Sequence, residues 1–188
     1  MKISFKHIVV RSRNLFIETG KTWDTIASEQ TTVKDVRNTY VFPWIFVCTT
    51  IVFLTNLLYD SERNVEIAFL KALVAGLSLL AGYFVAAGAC FWVLTKKIGN
   101  KSKETCELLV AYSFTTIFAL EILTSLIPSL FFLQILVVHC AWLLWEGSRV
   151  VLKLNEKEQE AVILFLSVIL IFSPIIIEMI LKFMLPNV

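Results

Sequence analysis

The stretch from Ala72 to Thr95, ALVAGLSLLAGYFVAAGACFWVLT, contains no charged residue. A helix that crosses a bilayer needs about 20 predominantly apolar residues, so this run is long enough to form one. Working outward, Asn38 to Tyr59 is also free of charge. Leu108 to Trp145 carries one charge, Glu121, and Ala161 to Leu181 carries one, Glu178. The Leu108 run is long enough for two helices. It divides at Ser125-Leu126-Ile127-Pro128-Ser129, where proline and hydroxyl residues favour a tight turn. The expected spans are 40–59, 72–95, 108–125, 129–146 and 161–182, after a cytoplasmic N-terminal segment over 1–39. The fold class is therefore all-α, a polytopic membrane bundle of five transmembrane helices. One such run suits the core of a soluble protein, but four in 188 residues do not. Composition agrees: 57% of residues are hydrophobic and 17% charged, against roughly 45–50% and 25% in soluble domains.

Lys and Arg give the spans a direction, because short loops rich in them stay in the cytoplasm. One side holds Lys2, Lys6, Arg11, Arg13, Lys21, Lys34, Arg37, Lys96, Lys97, Lys101, Lys103, Arg149, Lys153 and Lys157. The other holds only Arg63, Lys71 and Lys182. The N-terminus is expected in the cytoplasm and the C-terminus outside, in a bacterial inner membrane. Trp44, Trp92, Trp142 and Trp145 all fall near the basic face, where tryptophan anchors suit the interface. The N-terminal segment has no apolar run before Tyr40 and includes Glu18, Asp24, Glu29 and Asp35, so it does not read as a cleaved signal. Leu15, Phe16, Trp23, Ile26 and Ala27 recur at helical spacing, with Gly20 placed to break the segment. They predict an amphipathic helix on the inner leaflet with Trp23 as its anchor. A solvated arm with one short helix is the alternative.

Within the spans, Ser78, Gly82, Ala86 and Cys90 recur every fourth residue and allow close approach of a neighbouring backbone. They mark the second span as a central packing helix, with a homodimer contact as the alternative. Asn56, Glu121, Gln134 and Glu178 fall at similar depth on the sparsely charged side. Polar groups at such depth are costly, which makes the four a candidate intramembrane cluster. The structural alternative is that Glu178 pairs with Lys182, as Glu146 does with Arg149 at the other face. Cys48, Cys90, Cys106 and Cys140 show no metal spacing and read as small packing residues. His139 is expected to hydrogen-bond a neighbouring helix. No metalloprotease, nucleophile-elbow or phosphate-loop motif is present, so neither a catalytic set nor a cofactor or metal is expected. A net charge of +2 gives no reason to expect nucleic acid.

Several stretches resemble the Yip1 domain family of five-span membrane proteins. They are Lys21-Thr22-Trp23 with Ile26-Ala27 and Glu29, Tyr40-Val41-Phe42-Pro43, Ala111-Tyr112-Ser113, and Leu126-Ile127-Pro128-Ser129. Trp142-Leu143-Leu144-Trp145-Glu146-Gly147 and Val151-Leu152-Lys153-Leu154 complete the set. The resemblance runs through most of the chain from Phe16 on, and is nearest to the small bacterial-type members. Thr115-Thr116 stand where the family often has proline. The Asp-Leu-Tyr-Gly-Pro signature of eukaryotic members is missing, so their Rab GTPase binding is not carried over, nor is any functional residue. The resemblance implies a non-enzymatic protein that organises or partners other membrane components. Its expected partners are the lipid bilayer and other membrane proteins or a second copy of the chain. A small transporter or channel using the polar cluster is the alternative.

Overall fold

A computed structural model describes residues 5–29, 31–59, 64–98, 103–152 and 156–185. Of the basic residues tallied above, Lys2, Arg63, Lys101 and Lys153 lie outside them. Among the described residues the chain is helical throughout. Helices α1 (Phe5–Ile17) and α2 (Thr19–Ser28) precede the membrane bundle. The first span joins α3 (Val33–Val36), a π-helical turn (Arg37–Val41) and α4 (Phe42–Tyr59). The second is α5 (Val65–Ile98), and the third is α6 (Lys103–Ser113) continued by α7 (Thr115–Leu126). The fourth opens as a 3-10 helix (Pro128–Val138) and runs through α8 (His139–Gly147) into a π-helical turn (Ser148–Leu152). The fifth is α9 (Glu156–Met184).

Among the described residues five helices are thus long and apolar enough to cross a membrane: Val33–Tyr59, Val65–Lys96, Lys103–Leu126, Pro128–Leu152 and Glu160–Met184. Each reaches past the expected span. Apolar runs mark the hydrocarbon layer, whereas a helix continues through charged residues until its backbone bonds are interrupted. Phe46, Leu58, Phe131, Ile135, Leu164 and Phe183 are each more than 70% exposed. Faces of that kind suit lipid and would be costly in water.

The third span is the most enclosed, with 72% of its apolar window buried against 50% for the second. The reason lies in the neighbours: α6 packs against α3, α5 and α8, and α7 against α4 and the fourth span. The second span packs against α4, α6 and α9. Its small residues are buried there: Ser78, Gly82, Ala86 and Cys90. A Cβ on Gly82 would sit 2.8 Å from the backbone nitrogen of Pro174 and 2.9 Å from its Cα. Ser173 Oγ also donates to the Gly82 carbonyl at 3.0 Å. Gly82→Leu must separate the two backbones, at an expected cost of about 1–3 kcal/mol. A lowered melting temperature of the detergent-solubilised protein would show it; an unchanged one would mean that α9 yields freely.

Candidate functional site

The N-terminal helices fold onto the bundle at the end where Lys and Arg collect. Their break falls at Glu18, with φ −131° and ψ 55°, two residues before Gly20. Leu15, Trp23 and Ile26 are essentially unexposed. Trp23 packs edge-on to Tyr112, ring centroids 5.9 Å apart. A Cβ on Gly147 would lie 2.6 Å from the Trp23 ring, so glycine is what lets α2 close onto α8. This corrects the expected anchor: Trp23 is covered by protein, and its indole fills a notch in the fourth span. An apolar residue on an amphipathic helix can meet lipid or a partner helix with the same spacing pattern.

Polar contacts fasten the same layer. Arg11 holds the Glu29 carboxylate with both terminal nitrogens and donates to the Tyr112 hydroxyl at 3.0 Å. Burial of Arg11 works against its charge, but Glu29 and Tyr112 outweigh this and raise its pKa above the ordinary arginine value. The Tyr40 hydroxyl lies 2.8 Å from Ser12 Oγ and 2.7 Å from Thr115 Oγ1, and Trp44 Nε1 donates to Ser12 Oγ at 3.1 Å. Arg37 Nη2 donates to Glu107 Oε2 at 2.6 Å, with the guanidinium 5.3 Å from the Phe84 ring centre. Phe16 stacks on His139 at 5.2 Å, and Thr116 Oγ1 and His139 Nδ1 are 3.1 Å apart. Tyr112 is the junction, meeting Arg11, Trp23 and Tyr40.

The opposite half holds a different polar site. Glu121, Gln134, Glu178 and Ser78 line one cavity of about 340 Å³, drawn from four spans. Asn56 is not part of it. Asn56 lines a separate cavity of about 450 Å³ with Lys71, Thr124 and Ser125, and donates to the Val52 carbonyl at 2.8 Å. Equal depth does not fix which way a side chain points around its helix, so three of the four expected residues meet and one does not. Glu178 pairs with Lys182 at 2.7 Å, and Gln134 Nε2 donates to Thr124 Oγ1 at 3.3 Å. Toward the basic end the interior closes with Tyr83, Phe114 and Phe118, all fully buried.

Other singled-out residues fall as follows. Trp92 and Trp142 are just over half exposed, while Trp44 and Trp145 are partly covered. Lys96 Nζ lies 4.5 Å from the Trp92 ring centre. Glu146 and Arg149 are 3.7 Å apart. The four cysteines are buried, and none is in a disulfide. Sequence reading missed Arg37–Glu107 and Arg11–Glu29, because pairing over 70 and 18 residues leaves no local spacing signal.

Trp23 with Glu29, Tyr40, Tyr112 and Gly147 come from four of the stretches quoted for the resemblance, and here they assemble around one aromatic junction. A sequence model of the Yip1 domain matches residues 13–177. The chain belongs to the Yip1 domain family. It is an integral membrane protein by that membership and by its five apolar helices. No curated protein and no solved structure matches it. Thr115 and Thr116 bring two hydrogen-bonding hydroxyls to this layer. Thr115 reaches Tyr40, and Thr116 reaches His139.

Proposed function

We propose that this Yip1-domain protein acts without chemistry of its own, as a membrane component that holds partner proteins within the bilayer. One observation carries the reading. The fourth span is the least enclosed, with 17% of its window buried. It leaves an apolar groove of about 690 Å³ against the fifth, lined by Ala141, Trp142, Ala161, Leu164 and Ser167. Small residues along a lipid-facing groove admit another helix at close range, and two helices held this way need no hydrophobic driving force. The basic-residue tally supports a cytoplasmic N-terminus and an outward C-terminus, as in a bacterial inner membrane.

A photoreactive residue at Ala141 or Leu164 tests the groove against the same residue at Phe46 or Phe131. Discrete protein adducts in native membranes at the first pair alone are expected. Lipid adducts at all four positions would contradict the reading.

The 340 Å³ cavity supports a second reading, a small transporter or channel that uses Glu121, Gln134 and Glu178. The packed aromatic layer of Tyr83, Phe114 and Phe118 beneath it speaks for the first. Glu121→Gln with Glu178→Gln separates them. Folding and partner adducts unchanged are expected, and loss of a solute or proton flux in proteoliposomes would favour the second.

A further inference from the structure

Helix α1 has three faces of different chemistry. Ile8, Ser12 and Leu15 turn into the bundle. His7 and Asn14 line the cleft between α1 and α2. Val10 stands at the edge of that cleft, and the remaining face carries Val9, Phe16 and Ile17, between 41% and 64% exposed. Lys6 and Arg13 are exposed on that same arc, and helical spacing puts no acid among them.

Two contacts fix the depth of this helix. Ser12 is seated on the Trp44 indole. Trp44 stands fifteen residues before Tyr59, roughly 22 Å at 1.5 Å per residue. Phe16 is stacked on His139. His139 stands eleven residues after Pro128, along a 3-10 helix, again roughly 22 Å at about 2 Å per residue. A hydrocarbon layer is about 30 Å thick. Taking the helix ends at Tyr59 and Pro128 as the far face, both contacts fall inside the layer and at about the same depth. A helix touching them one turn apart runs in the membrane plane, at the boundary on the basic side.

We propose that α1 is an in-plane lipid-binding helix. Val9, Phe16 and Ile17 enter the acyl layer, and Lys6 and Arg13 hold the headgroups of acidic phospholipids. An amphipathic face that joins apolar side chains to basic ones, with no acid, complements an anionic leaflet. The assignment stands independently of what fills the groove between the fourth and fifth spans. It also differs from an anchor at Trp23, which the protein itself covers.

The test uses the full chain in vesicles of phosphatidylcholine and phosphatidylglycerol. Because the four native cysteines are buried, a bimane label goes selectively to Val9→Cys, Ile17→Cys or Asn14→Cys. Doxyl-labelled lipid is expected to quench the first two at least twofold more than the third. Doxyl-phosphatidylglycerol is expected to quench at least twofold more than doxyl-phosphatidylcholine. In Lys6→Gln with Arg13→Gln that ratio should fall to about one while quenching by depth persists. Aqueous iodide reaching all three labels, with no lipid quenching, overturns the placement of α1. Equal quenching by both lipids in the parent protein overturns the headgroup assignment.

Discussion

Arg37→Met is expected to lower the stability of the bundle by about 2–3 kcal/mol, and joint replacement of Arg37 and Glu107 by methionine to recover most of that loss. Removing one partner of a fully buried ion pair costs about 3–5 kcal/mol, because the other charge is left uncompensated. Here the Glu107 side chain is 8% exposed and Arg37 28%, so solvent screens part of the effect and the lower figure applies. Replacing both by apolar residues removes the stranded charge, and such swaps are often near neutral. The four buried thiols supply the readout, since a thiol-reactive dye reports their exposure as the protein melts. For a chain of this size the single variant should melt about 5–10 °C lower. Equal losses in the single and double variants would show that Arg37 acts by packing against Phe84 and not through Glu107.

The second large effect belongs to Trp23→Ala. Its ring is fully buried, and removing a buried tryptophan costs about 3–5 kcal/mol. Among the described residues Nε1 has no hydrogen-bond partner, so Trp23→Phe loses little beyond volume. Gly147→Leu attacks the same contact from the other side by forcing the ring out of its notch. Combined, the two large changes should cost less than their sum, because the leucine occupies space that the alanine vacates. Strict additivity in that cycle, measured by the same thiol melt, would mean that α2 and α8 are not energetically coupled.

These two sites mark where the amino-acid sequence stops being legible. The spans were readable because charge-free runs of about twenty residues have few other homes. The Glu178–Lys182 and Glu146–Arg149 pairs were readable because helical neighbours lie three or four residues apart. Trp23 was not: indole suits both a membrane interface and a protein core, and only the notch at Gly147 decides. Glu107 was placed outside the third span by its charge, yet it is buried because Arg37 arrives from 70 residues away. For the polar cavity, depth was legible and helix rotation was not, which is why Asn56 faces a different space from Glu121, Gln134 and Glu178.

The account rests on an odd number of crossings, with the N-terminal helices and the Lys96–Lys103 loop on one side. Fusion reporters measure this directly: alkaline phosphatase and a fluorescent protein placed in turn after Val188 and within Lys96–Lys103 in a bacterial host. Active phosphatase at the C-terminus, with fluorescence only from the loop, is the predicted pattern. Fluorescence from both positions would put them on the same side of the membrane and contradict the five-span arrangement.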